Sequence, residues 1–177
     1  LQGADFYFDI STVTGTENLM MAATLAEGRT ILKNAACEPE VVELAKALIK
    51  MGAKIQGAGT EVLGIEGVKD LHPIEHAIIP DRIEAGTLMV ASGITQGNVK
   101  LLNCNLSQIE AVVAKLRETG IEIIPEGDGV KVIGPANLKA VDVKTLPFPG
   151  FPTDMQAQIM ALMCLANGLA VITETVF

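Results

Sequence analysis

Apolar and polar positions change period several times along the chain, and each change marks an element. Phe6, Phe8 and Ile10 alternate with polar neighbours within residues 1–13, the two-residue period of a strand. Ser11-Thr-Val-Thr-Gly-Thr16 then forms a hydroxyl-rich turn, with Thr16 expected to cap a helix that runs to about Glu27 and is ended by Gly28. Arg29–Lys33 reads as a short strand. Glu38-Pro-Glu40 opens a second helix, with Pro39 in the first turn, where a missing N–H is tolerated. Val41, Leu44, Ala45, Leu48 and Met51 fall on one face of that helix, and Gly52 stops it. Strands at 53–56 and 61–66 follow. Gly57-Ala-Gly59 joins them, and with neither a third glycine nor a following helix it reads as a hairpin turn, not a phosphate loop.

The same order then recurs. Residues 84–96 are helical in pattern and stop at Gly97, and 98–102 form a strand. Ser107 with Glu110 has the form of a capping box for a helix ending at Gly120. Strands at 121–124 and 130–133 turn at Gly127-Asp-Gly129. From stop-glycine to asparagine is six residues in both copies, Gly28 to Asn34 and Gly97 to Asn103. A third copy starts at Thr153, reaches Gly168 and enters a strand at 170–176. The period is about 70 residues and each copy is a βαβαββ unit, which makes the fold α/β with mixed parallel and antiparallel sheets.

The stretch from Pro147 to Gln158 breaks the pattern. Three prolines, Pro147, Pro149 and Pro152, hold it extended, and Thr153 with Gln156 has the form of a second capping box. Asp154 falls in the first turn of the helix that follows. It either complements the helix dipole or does chemistry at the mouth of what the arm and helix enclose.

Composition narrows the class. The 177 residues are 49% apolar, enough for a sizeable core. A net charge of −8 leaves no basic patch to replace phosphate counterions, so nucleic acid is excluded as a partner. Cys37, Cys104 and Cys164 are widely spaced and odd in number, as expected of buried thiols in a reducing compartment. Residues 1–9 carry no basic leader, and the most apolar run, 159–165, is too short to span a bilayer, so a cytoplasmic protein without membrane attachment is expected. His72 and His76 have a metal-binding interval, but Pro73 disrupts the helix that would pair them, and no metal site is expected.

Several stretches together carry a resemblance. Phe151-Pro-Thr-Asp-Met-Gln-Ala-Gln158, Ala22-Ala-Thr-Leu-Ala-Glu-Gly28, Glu38-Pro-Glu40, Pro80-Asp-Arg-Ile-Glu84 and Ile172-Thr-Glu-Thr-Val-Phe177 resemble, in order and spacing, the UDP-N-acetylglucosamine enolpyruvyl transferases. The resemblance implies their fold, an inside-out α/β barrel with three βαβαββ units in each of two domains. It makes this chain a central fragment, incomplete at both ends: residues 1–78 are the last unit of one domain, and 79–177 one complete and one truncated unit of the other. The implied activity is transfer of the enolpyruvyl group of phosphoenolpyruvate to the 3-hydroxyl of UDP-N-acetylglucosamine, in peptidoglycan synthesis and without a cofactor.

The resemblance also assigns residues. Asp154 is the candidate base. Ile10, Ser11, Thr12, Val13 and Thr14 are placed against the uridine and diphosphate, although many relatives read Ser-Val-Gly-Ala-Thr where this chain has Thr-Val-Thr-Gly-Thr. The Val176 backbone is placed against the acetylated sugar. Glu38, Asp81 and Arg82 support the cleft, the acids by holding basic side chains; on a plainer reading Glu38 starts a helix and Asp81 pairs with Arg82. Cys37 stands where several relatives carry arginine. The cations that bind phosphoenolpyruvate and the reactive loop cysteine match nothing in this chain, so alone it is expected to be inactive, and its cut edges to self-associate. Two alternatives remain: a shikimate-pathway enolpyruvyl transferase, which the arm motif disfavours, and a non-catalytic repeat or scaffold domain.

Overall fold

Strand β1 (Asp5–Tyr7) and helix α1 (Val13–Thr24) open the computed structural model, which describes residues 1–176. Strand β2 (Arg29–Lys33), helix α2 (Pro39–Lys50) and the hairpin β3 (Lys54–Gln56) and β4 (Val62–Glu66) complete a first unit, Leu1–Ile79. Its sheet runs β1-β2-β4-β3, with β1 parallel to β2 and the other pairs antiparallel. Alternation decides which face is covered: Thr30, Leu32, Leu63 and Ile65 point inward and are buried, and their neighbours are more exposed. Met20 and Ala23 of α1 and Val41, Ala45 and Leu48 of α2 complete that core. The segment after β4 is tied back to α2. His72 donates its N–H to the Met51 carbonyl, and the His76 ring lies 2.9 Å from Glu43 Oε1 and 3.2 Å from Lys50 Nζ.

The second unit, from Pro80 onward, begins with helix α3 (Arg82–Ile94), strand β5 (Asn98–Leu102), helix α4 (Glu110–Glu118) and the hairpin β6 (Glu122–Glu126) and β7 (Gly129–Ile133). Strand β8 (Val143–Lys144), helix α5 (Gln156–Met163) and strand β9 (Ile172–Thr173) follow. The order β5-β7-β6 repeats β2-β4-β3, and the register repeats with it. Arg29 faces Glu66 and Lys33 faces Val62; Asn98 faces Ile133 and Leu102 faces Gly129. Asn34 and Asn103 both have positive φ, +56° and +53°, as do Gly52 and Gly120, +108° and +100°. The repeat is therefore present in the backbone. Strands β8 and β9 pair in parallel across α5, as β1 and β2 do across α1.

Several expected details are corrected. The second copy has no leading strand among the described residues and opens directly on α3. In the first copy the cap is Thr12, whose Oγ1 accepts from Gly15 N at 3.3 Å. Thr16 lies inside the helix, fully buried, and its hydroxyl oxygen accepts from Ala36 N at 3.0 Å. Ser107 caps nothing: Asn105 caps a 3-10 turn at Leu106–Gln108 and accepts from both the Ser107 N–H and its hydroxyl. The left-handed residue after α3 is Gln96, φ +52°, not Gly97. The last strand covers only Ile172–Thr173 of the expected 170–176, and Phe177 lies outside the described residues. In each case the sequence offers two or three capping or turning groups within a few residues, and tertiary hydrogen bonds select among them.

Candidate functional site

The arm before α5 is fixed at both ends. Leu146 N donates to Phe151 O at 2.9 Å and Gly150 N to Pro147 O at 2.8 Å, which closes the three-proline stretch into a loop. Phe151 is buried in the core at its foot. Phe148 faces the Arg82 guanidinium, 5.8 Å from the ring centroid, a cation–π distance. Arg82 is itself largely buried, so the first residue of α3 clamps the arm. The neighbouring Asp81 turns to the backbone that follows it. Its Oδ1 accepts from Ile83 N at 2.7 Å and Glu84 N at 3.2 Å, which makes it the N-cap of α3.

Thr153–Met155 form a 3-10 turn ahead of α5, and the expected capping box is absent there. Thr153 Oγ1 donates instead to Glu174 Oε2 at 2.9 Å. Met155 is fully buried and anchors the turn, while Asp154 between them is exposed. Among the described residues the Asp154 carboxylate takes no hydrogen bond or ion pair, so it caps nothing. Val176, beyond β9, is exposed, and its N–H donates to Glu174 Oε1 at 2.7 Å. Glu174 thus links the two second-unit positions singled out by the sequence. Sequence alone does not single it out, because a glutamate between two strand-forming threonines looks like an outward strand residue.

In the first unit Ile10 is 77% exposed, Ser11, Thr12 and Val13 are half-buried and Thr14 is exposed. They line the N-terminus of α1, where no acidic residue sits in the first turn. The Val13 and Thr14 N–H groups have no intrahelical carbonyl to reach, as at the start of any helix. Glu38 takes the N-cap position of α2 without a side-chain cap bond, and its Oε2 is buried with no partner among the described residues. Burial raises the Glu17 carboxyl above its ordinary value, and the nearby charges of Glu40 and Glu38 add to the rise. A group whose folded pKa is raised favours the fold at low pH and loses that favour as pH rises through its folded pKa. Glu17→Gln is therefore expected to raise the melting temperature at pH 7 and to leave it unchanged below the ordinary glutamate range. An equal gain at both pH values would contradict the cluster.

The three cysteines are free, but the expectation that all are buried holds only in part: Cys37 and Cys104 are half-buried and Cys164, just after α5, is exposed. Burial pushes the Cys37 thiol up, helped by Glu38 and Glu61, and burial alone does the same to Cys104. Iodoacetamide at neutral pH is expected to label Cys164 first, with Cys37 and Cys104 labelled only as pH climbs above the usual thiol range. Comparable labelling of all three at neutral pH, read by peptide mass, is the contrary result. No group of three or more His, Cys, Asp or Glu among the described residues is placed to hold a metal, and no described helix is long and apolar enough to cross a membrane.

Residues 1–177 match the protein-family model described as EPSP synthase (3-phosphoshikimate 1-carboxyvinyltransferase). The chain belongs to this family. Within the EPSP synthase family, it is 58% identical over 177 residues to the UDP-N-acetylglucosamine 1-carboxyvinyltransferase of Geotalea daltonii, covering all of this chain and 42% of that protein. It is 57% identical over 178 residues to the protein of the same name from Thermodesulfovibrio yellowstonii, covering 43% of it. The chain thus spans about 42% of the length of the curated relatives it matches. Among solved structures, the enolpyruvyl transferase NikO from Streptomyces tendae superposes with a TM-score of 0.80 at 20% identity, over 98% of this chain and 45% of that one. EPSP synthase from Acinetobacter baumannii gives 0.66 at 17% identity, over 97% and 41%. At such identities these two show the enolpyruvyl transferase fold.

Proposed function

We propose that this chain is part of an enolpyruvyl transferase that moves the enolpyruvyl group of phosphoenolpyruvate onto the 3-hydroxyl of UDP-N-acetylglucosamine and releases phosphate, a cytoplasmic step of peptidoglycan synthesis. The observation that carries the proposal is 56–58% identity over the whole chain to proteins named for that acceptor. The shikimate-pathway alternative has behind it the description of the family model and a solved EPSP synthase at 17% identity, against which stands the far higher identity to the proteins named for UDP-N-acetylglucosamine. On this reading residues 1–78 are the last repeat unit of one domain, and 79–177 belong to the other.

The reaction needs a base for the sugar hydroxyl, donors for the diphosphate and cations for phosphoenolpyruvate. Asp154 is the base, supported by its exposed carboxylate on a turn anchored by Met155. Ile10, Ser11, Thr12, Val13 and Thr14 bind the nucleotide, supported by a helix N-terminus without first-turn acids, which favours an anion. Val176 meets the sugar through its backbone. Glu38 holds a cationic side chain of the full-length protein, supported by its unpartnered Oε2. Asp81 and Arg82 act through structure, as helix cap and arm clamp. Exposed Phe6, Tyr7 and Ile10 support self-association of the isolated chain. Calorimetric titration of UDP-N-acetylglucosamine into a full-length protein carrying this sequence is expected to saturate, with 3-phosphoshikimate failing to compete. Absence of saturable binding up to millimolar ligand sinks the reading.

A further inference from the structure

Three separate stretches of the second unit converge on the Glu174 carboxylate. Its Oε1 accepts from Thr145 Oγ1 at 2.6 Å, just past β8, and from Val176 N at 2.7 Å, just past β9. Its Oε2 accepts from Thr153 Oγ1 at 2.9 Å, in the turn that carries Asp154. Thr145 is fully buried, and its hydroxyl oxygen already accepts from Thr175 N at 2.9 Å. Its single proton is therefore committed to Glu174. Closing the ends of β8 and β9 would require only Thr145 and the Thr175 and Val176 amides. The bond to Thr153 does something else: it reaches out of that sheet to the turn.

We propose that Glu174 is a positioning residue that holds the Asp154 turn and the Val176 backbone in one frame. The proposal rests on the reading of Asp154 as base and Val176 as sugar contact, and adds the group that fixes the two relative to each other. An acceptor-only group suits the place, since at least three donors meet there among the described residues and an amide would present a donor of its own to one of them. Thr153 is the arm that orients Asp154. With the neighbouring Met155 side chain buried, the turn is held from below by packing and tied to Glu174 by the Thr153 hydroxyl. The Oε1 side holds Val176 and therefore concerns sugar affinity.

The two arms separate kinetically in a full-length protein carrying this sequence. Thr153→Val removes the hydroxyl and keeps the shape, and is expected to lower kcat about tenfold, since an ångström-scale misplacement costs up to ~10²-fold, with KM for UDP-N-acetylglucosamine unchanged. Thr153→Ser restores the hydroxyl and is expected to restore kcat. Glu174→Gln disturbs both arms and is expected to lower kcat and raise that KM together. In an Asp154→Asn background, Thr153→Val should change kcat by less than about twofold, because the residue it acts through is already lost. Melting curves identify any variant that fails to fold, and the threonine pair carries the test if Glu174→Gln does. Normal kcat in Thr153→Val, with Asp154→Asn inactive, overturns the positioning role and leaves the base reading intact. Full turnover in Asp154→Asn overturns the base reading and, with it, the role assigned to Glu174.

Discussion

Asp154→Asn in a full-length protein carrying this sequence is expected to lower turnover by at least ~10²-fold, the low end for loss of a general base, with almost no change in melting temperature. The two halves of that expectation have separate grounds. Stability is spared because Asp154 is exposed and, among the described residues, neither caps a helix nor pairs with a cation. The side chain that could have served as a cap, Thr153, is committed to Glu174. A structural role for Asp154 therefore has no bond to act through. On the proposed base role, turnover is expected to suffer because asparagine keeps size and hydrogen-bonding reach but cannot accept a proton. A sugar hydroxyl is a very weak acid, so the proton moves late, as positive character grows on the attacking oxygen; a carboxylate needs correct placement there more than high ground-state basicity. Stopped-time phosphate release and a thermal melt on the same preparation read both halves. A large fall in melting temperature would assign Asp154 to the fold instead.

The next largest effect is expected at two glycines related by the repeat. Gly67 N donates to Gly28 O at 2.9 Å, and Gly134 N donates to Gly97 O at 2.8 Å, the same closure in each unit. A Cβ at Gly67 would overlap the Ala26 carbonyl oxygen, and one at Gly134 the Ser92 carbonyl oxygen. Both obstacles are backbone atoms, which cannot swing aside. Gly67→Ala and Gly134→Ala are each expected to cost about 3 kcal/mol or more, the upper range of overpacking. Gly28→Ala is the control. Gly28 has φ +89° with open space where a Cβ would go, so only the left-handed conformation is penalised, by about 1–2 kcal/mol. Urea unfolding of the three variants should rank them in that order. A Gly134→Ala protein as stable as the parent would remove the equivalence of the two closures.

Legibility from sequence followed the range of the forces involved. The limits of β2 and α2 were readable because each is set by its own pattern: alternation in Thr30 and Leu32, a proline start at Pro39, one apolar face from Val41 to Leu48. The repeat was readable because its marker residues, Asn34 with Asn103 and Gly52 with Gly120, need left-handed backbone and so are restricted in type. Caps were less readable. Thr12 and Thr16 have the same local credentials, and what separates them is a hydrogen bond to Ala36, twenty positions away. Of the candidate site, Asp154 and the Ser11–Thr14 turn came from motif wording. The Glu174 network did not, since the two bonds that tie it to Thr145 and Thr153 span 29 and 21 positions and no local pattern records them.

The proposed function makes this sequence part of an enzyme whose acceptor is UDP-N-acetylglucosamine. Phosphate release from phosphoenolpyruvate, measured with a full-length protein carrying this sequence and each of two acceptors in turn, tests it most directly. Phosphate release is expected to depend on UDP-N-acetylglucosamine, to saturate with it, and to be absent with 3-phosphoshikimate. Release driven by 3-phosphoshikimate, or none with either acceptor, contradicts it.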